Sequence, residues 1–142
     1  PFNNLEVFNR NLFSIKRNLP KTGIEIKIGA IIYIMLLSPK ISLEFDEKIS
    51  LIDFRKADLN ELKQAILKSV SKSPQINSKD LQQDMITKGF TIQIKKFMQS
   101  NYPSRLDLDL NDINDEKVKK IFRELLDLVD IRKISFSENN QN

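Results

Sequence analysis

The most apolar stretch of the chain, IGAIIYIMLL, covers residues 28–37 and carries no charged side chain. A membrane-spanning helix needs about 20 apolar residues, whereas this run stops at Ser38 and Pro39. The isoleucines that begin the segment alternate as in a strand, but the apolar positions also recur at i, i+4 and i+7, and the segment is long for a strand. Because apolar residues lie all round the circumference, we predict a helix over 24–37 at the centre of the core.

Two amphipathic helices are predicted after this proline. Between residues 41 and 52, apolar side chains recur at i, i+4, i+8 and i+11, and the charged side chains Glu44, Asp46, Glu47 and Lys48 lie largely outside this stripe. In the next segment Asp58 stands three residues before Glu61, which is the spacing of a capping box at a helix N-terminus. The apolar stripe of that second helix consists of Leu59, Leu62, Ile66 and Val70.

Two shorter helices follow, separated by a turn. Ser78 is the predicted N-cap of the first, and Gly89 follows its last residue, where a left-handed conformation commonly ends a helix. The segment 90–98 fits both helical and strand periods, and we assign it to a helix because no partner strand is evident. Pro103 and the alternating Leu and Asp residues after it predict a break, after which Asn114 caps the last helix.

The last helix, predicted over 114–136, has a broad apolar stripe. Its apolar residues cover almost half of the circumference, whereas a surface helix usually buries a stripe of about 100°. Two interpretations are open: the stripe serves both the chain's own core and a partner, or the helix lies deep in its own domain. The stripe consists of Val118, Ile121, Phe122, Leu125, Leu126, Leu128 and Val129, with Ile131 and Ile134 outside it.

These segments predict an all-α fold, an irregular bundle of about five to seven helices with a long C-terminal helix. Residues 24–100 form the helical core subdomain, and the connector 101–113 leads to the C-terminal interaction helix 114–136. Residues 1–23 are assigned to a basic linker or peripheral segment, and residues 137–142 to a disordered tail.

The positive charge is concentrated near the start of the chain. The net charge is +4, and residues 1–40 alone hold six Lys and Arg against two Glu. A basic segment with interleaved apolar side chains is typical of contact with nucleic acid, but it equally fits a solvated linker. The candidate nucleic-acid-binding residues are Arg10, Lys16, Arg17 and Lys21.

The composition excludes several kinds of chemistry. Without cysteine or histidine, the chain can form no disulfide, no thiol nucleophile, no zinc ribbon and no histidine-based triad. The densest acidic cluster lacks the glycine and the bidentate glutamate of an EF-hand loop, so we assign it to a solvated loop and helix start. We therefore predict no catalytic residue, no metal and no cofactor. That cluster consists of Asp107, Asp109, Asp112, Asp115 and Glu116.

Three consecutive patterns resemble the start of the C-terminal domain of bacterial DNA primase of the DnaG type. A very apolar helix ends in MLLSP at 35–39. An acidic helix follows and ends in EKISLIDF at 47–54, and a third helix carries LNELKQAIL at 59–67. The resemblance covers about residues 24–70 and consists of hydrophobic patterns rather than catalytic motifs.

This resemblance implies a non-catalytic helical domain that docks on the N-terminal domain of the hexameric replicative helicase and recruits primase to the fork for RNA primer synthesis. The zinc-binding and nucleotidyltransferase domains lie upstream in that family, and we expect this chain, which begins with Pro1, to be a fragment. The family also implies a cytoplasmic location, single-stranded DNA-binding protein as a further partner, weak or absent direct DNA contact, and no membrane. It implies a terminal helical hairpin, whereas the pattern here predicts one long helix.

Helix docking uses apolar anchors at i, i+3 or i+4 and i+7, with aromatic and arginine side chains as the usual energetic centres. Two other functions stay open: a small basic nucleic-acid-binding module, and a helical scaffold that oligomerises through residues 114–135. The candidate helicase-binding residues are Ile121, Phe122, Leu125, Leu126, Val129, Arg132 and Ile134.

Overall fold

The computed structural model describes residues 23–99, 115–130 and Arg132. Within these residues the chain forms seven helices and no strand, which confirms the all-α class with a C-terminal helix. The basic segment before residue 23, the connector after residue 99 and the tail lie outside the described residues, and the predictions made for them stay predictions. The helices are α1 Gly23–Leu37, α2 Pro39–Glu44, α3 Asp46–Ser50, α4 Ala57–Lys72, α5 Ser78–Thr87, α6 Thr91–Met98 and α7 Asp115–Val129.

Helix α1 is the centre of the core, as its apolar run predicts. Every residue from Ile28 to Leu36 is buried, and α1 contacts α2, α4, α5, α6 and α7. Burying one isoleucine side chain contributes about 1.5–3 kcal/mol, so this helix supplies much of the hydrophobic stabilisation. The helix ends before Pro39, the first residue of α2, and the Ser42 hydroxyl donates a hydrogen bond of 2.8 Å to the Met35 carbonyl near its end.

The single helix predicted over 41–52 is wrong, because the chain forms α2 and α3 with a break at Phe45. The amide of Phe45 still donates to the Ile41 carbonyl at 3.0 Å, but its ψ of 19° departs from helical geometry. The break accompanies a specific contact: the Phe45 ring meets the Phe122 ring of α7 edge to face, with centroids 5.4 Å apart. The break at Phe45 therefore accompanies packing against α7, which the apolar period of residues 41–52 does not indicate.

The predicted cap at Asp58 is also wrong, because α4 begins at Ala57 and its N-cap is Lys56. The predicted capping box is replaced by a different local network. Asn60 accepts a hydrogen bond of 2.9 Å from the Phe54 amide and donates one of 2.8 Å to the Asp53 carboxylate. This network fixes the loop before α4, while Asp58 lies in the first turn, where a negative charge is favourable.

The start of α5 differs from the prediction by one residue. Asn77 is the N-cap and accepts a hydrogen bond of 2.8 Å from the Asp80 amide. The hydroxyl of Ser78, the predicted cap, donates instead to the Leu36 carbonyl at 2.7 Å and so links α5 to the end of α1. Gly89 has φ +99°, as expected for a residue that ends a helix in the left-handed region.

Candidate protein-binding surface

Helix α7 lies on α1 and uses the middle of its apolar stripe to do so. Four of the candidate helicase-binding residues are buried there, since Phe122, Leu125, Leu126 and Val129 belong to the core of this chain. In this conformation they anchor α7 to its own domain and are not presented to a partner. For these four positions, the structure matches the interpretation that the helix packs into its own core.

The three remaining candidates are Ile121, Arg132 and Ile134. Ile121 is partly buried, Arg132 is exposed, and Ile134 lies outside the described residues. Leu128, which belongs to the stripe but not to the candidate set, is 52% exposed. Ile121 and Leu128 are seven residues apart and so share one side of α7, whereas Arg132 follows the last residue of the helix, Val129. We refer to these three residues as the α7 edge.

Polar contacts hold the opposite side of α7 against α2 and α3. Lys119 pairs with Glu44 of α2 at 3.0 Å, and Asp127 pairs with Lys48 of α3 at 3.7 Å. The Arg123 guanidinium stands 5.6 Å from the centre of the Phe45 ring. Exposed ion pairs of this kind contribute little stability, about 0–1 kcal/mol each. They do show which side of α7 is occupied by its own domain, and hence that the α7 edge faces away from α2 and α3.

Arg132 is engaged by a neighbouring carboxylate. Its backbone amide, its Nε and its Nη2 all donate to Asp130, with distances of 3.1, 3.1 and 2.9 Å. These bonds raise the pKa of Arg132 further above its ordinary value. The residue therefore contributes a cation of fixed orientation to the α7 edge.

A second candidate surface is a cavity of about 140 Å³. It lies where α1, α4 and α6 meet the loop that precedes α4. Apolar side chains and the cations Arg55, Lys56 and Lys96 line it together with Glu25. An apolar pocket bordered by cations suits an apolar side chain that stands next to a carboxylate. We call this cavity the Lys96 pocket; its apolar lining residues are Ile28, Phe54, Leu59 and Phe97.

The sequence alone does not indicate the Lys96 pocket, because its residues come from three separate stretches of the chain, 25–28, 54–59 and 96–97. None of them forms a motif, and Lys96 looks like an ordinary exposed position of a short amphipathic helix. The only local signal is the pair Lys95-Lys96 next to Phe97, and the Lys96 ammonium stands 5.4 Å from the centre of that ring. Such a pair is too common to predict a site.

Arg55 has an unusual backbone conformation at the border of this pocket. Its φ is +73°, in the left-handed region that non-glycine residues rarely adopt. The Asp53 carboxylate accepts a hydrogen bond of 2.9 Å from the Arg55 amide and stabilises that conformation. Hydrogen bonds from Asn60 and then from the Arg55 amide lower the pKa of Asp53, which keeps this carboxylate ionised.

Lys63 stabilises the same loop through hydrogen bonds to its backbone. Lys63 is 4% exposed, and its ammonium donates to the Ile52 carbonyl and, at 3.5 Å, to the Ser50 carbonyl. The ammonium also stands 5.2 Å from the centre of the Phe54 ring. Burial lowers the pKa of Lys63, and the nearby Asp53 charge opposes that shift. The buried Lys63 therefore fixes the segment from which Phe54 and Arg55 line the pocket.

One cluster resembles a nucleophilic arrangement but links two helices instead. The Ser69 hydroxyl on α4 donates to Asp84 of α5, and the Lys88 ammonium lies 3.0 Å from the Ser69 oxygen and 3.1 Å from the Asp84 carboxylate. An ammonium paired with a carboxylate has no lone pair with which to accept the serine proton. Ser69 is also buried, so we assign the cluster to the contact between α4 and α5.

Comparison with protein-family models, with curated proteins and with solved structures gives no match to this chain. Among the described residues, no group of three or more acidic side chains is placed to hold a metal ion. No helix in that part of the chain has the length and apolarity needed to cross a membrane. The candidate nucleic-acid-binding residues Arg10, Lys16, Arg17 and Lys21 lie outside the described residues.

Proposed function

We propose that this chain is a non-catalytic recruitment domain of a bacterial DNA primase, which holds the primase to the hexameric replicative helicase in the bacterial cytoplasm. The observation that carries the recruitment function is the pairing of two accessible surfaces on one helical core. One is the apolar α7 edge and the other is the Lys96 pocket with its border of cations.

The primase assignment is supported by where the resembling patterns fall. The apolar pattern coincides with the central helix α1 and its stop at Ser38 and Pro39. The second pattern ends at Phe54, which is fully buried, and the third forms the buried face of α4. The patterns that carry the resemblance therefore supply core positions of this helical fold.

The α7 edge is the proposed helicase contact, because it is the accessible part of the predicted interaction helix. We expect Leu128→Glu to weaken binding to the N-terminal domain of the helicase by at least about tenfold, since it places a charge in an apolar contact. Ile92→Glu is the matched control, because Ile92 is an 80% exposed apolar side chain on α6. Surface plasmon resonance with both variants measures the difference, and equal affinities would exclude the α7 edge as the contact.

The Lys96 pocket is the proposed site for an acidic segment of a second partner, and single-stranded DNA-binding protein is the partner that the primase resemblance implies. Arg55, Lys56 and Lys96 outnumber Glu25 at its border, so the local charge favours an anionic ligand. The apolar lining supplies contact area for a neighbouring aliphatic or aromatic side chain.

This pocket can be tested with a fluorescein-labelled probe peptide of alternating aspartate and leucine residues. We expect Lys96→Glu to weaken its binding by at least about tenfold, because the change replaces an attraction by a repulsion at the pocket border. Lys95→Glu changes the net charge of the chain equally but lies outside the pocket lining. Equal loss in both variants would mean that only net charge matters, and binding of a peptide with asparagine in place of aspartate would contradict the role of the carboxylates.

A further inference from the structure

Arg55 links the Lys96 pocket to helix α7. It lines the Lys96 pocket, and its Nη2 donates a hydrogen bond of 3.0 Å to the carbonyl of Val129, the last residue of α7. These two residues are 74 positions apart in sequence, so the bond joins the loop before α4 to the C-terminal helix. A single guanidinium therefore bridges the peptide pocket and the helix that carries the proposed helicase contact.

The contact has a clear physical role at the end of α7. The last carbonyl groups of a helix have no partner within the helix and carry a partial negative charge, so a cation placed there is stabilising. The last turn of α7 contains no basic residue of its own. Arg55 supplies the cation from another part of the fold and thereby fixes the C-terminal end of α7.

The guanidinium retains donors for a ligand while it makes this contact. Its Nη1 donates to the Asp53 carbonyl at 2.8 Å and its Nη2 to Val129, which leaves other N–H groups of the planar fork for an anion in the pocket. Because the Arg55 backbone is fixed by Asp53, the side chain starts from a defined position. A carboxylate in the pocket would restrict the same guanidinium that binds Val129. Because one side chain makes both contacts, the conformational entropy of the Arg55 side chain is lost only once when both form.

We propose that an acidic ligand in the Lys96 pocket and the docking of α7 are positively coupled through Arg55. Ligand binding stabilises the docked position of α7 and, by reciprocity, docked α7 strengthens ligand binding by the same factor. This inference rests on the proposed ligand of the pocket. It makes the orientation of the α7 edge dependent on whether a partner's acidic segment occupies the pocket.

Hydrogen exchange on the full chain, with and without a saturating amount of the aspartate–leucine probe peptide, tests this coupling. We expect the peptide to slow exchange in α7 by at least about fivefold more than in α5, which contributes no residue to the pocket. Arg55→Lys keeps the charge but loses the planar fork that serves two acceptors. In that variant we expect Lys56 and Lys96 to bind the peptide more weakly. When the peptide concentration is raised to saturation, we expect α7 and α5 to be protected equally.

The possible outcomes separate the two proposals. Peptide binding that protects α7 no more than α5 would overturn the coupling and leave the pocket intact. Extra protection of α7 that survives Arg55→Lys would show that Arg55 does not transmit it. Absence of peptide binding to the native chain would overturn the pocket, and the coupling with it.

Discussion

Replacing Phe122 by Ala is expected to lower the free energy of unfolding by about 3–5 kcal/mol. Phe122 is 0% exposed, and its ring packs edge to face on Phe45 with centroids 5.4 Å apart. Truncation removes the apolar area, the aromatic contact and the volume that fills the space between α7 and the rest of the core. Urea denaturation followed by circular dichroism measures the loss.

Leu128→Ala is the matched control for Phe122→Ala, because it truncates an apolar side chain of the same helix that is 52% exposed. We expect it to change stability by no more than about 0.5 kcal/mol. Equal small effects at both positions would mean that α7 does not pack on the core as described. The contrast also guides binding experiments: weaker helicase binding by a Phe122 variant can reflect loss of the docked helix, whereas the same result for a Leu128 variant reports the contact surface.

Replacing Lys63 by Met is expected to destabilise the chain by about 1–3 kcal/mol. The methionine matches the lysine in volume but cannot donate to the Ile52 and Ser50 carbonyl groups, which then lose a partner in a largely buried site. The loop that carries Phe54 and Arg55 loses its support at the same time. Lys68→Met is the control, because Lys68 is an exposed lysine on the same helix.

The pH dependence of the Lys63→Met effect has a defined sign. Burial lowers the pKa of Lys63 below its ordinary 10.5, so between the two values the unfolded chain binds more protons than the folded chain. The contribution of Lys63 to stability therefore rises with pH through this alkaline window. Urea titrations of both proteins at neutral and alkaline pH should show the deficit of the variant growing. A deficit that shrinks with pH would contradict the assigned burial of the ammonium.

The sequence predicted the helical elements well where one physical signal dominated. The apolar run of α1 and its proline stop leave few alternatives, and Gly89 marks the end of α5 by its conformational freedom. It failed where side chains from elsewhere decided the outcome. The break at Phe45 accompanies its contact with Phe122, and the cap predicted at Asp58 is replaced by the network that Asn60 makes with the preceding loop.

The candidate surfaces likewise combine features that the local sequence indicates with features that only the fold determines. The breadth of the α7 stripe was evident from the sequence, but which part of it is buried depends on how α1, α2 and α3 surround the helix. The Lys96 pocket depends on the fold entirely, since Glu25, Phe54 and Lys96 are far apart in sequence. The bond from Arg55 to Val129 likewise joins two residues for which no local pattern indicates a contact.

The most direct test of the proposed recruitment function is an anisotropy titration of the fluorescently labelled chain with the hexameric replicative helicase of the source organism. We expect saturable binding at micromolar helicase or below, unaffected by Ile92→Glu and lost or strongly weakened by Leu128→Glu. A flat titration up to tens of micromolar helicase would contradict it. The all-α fold would stand in that case, but the likeness to primase would then be architectural alone.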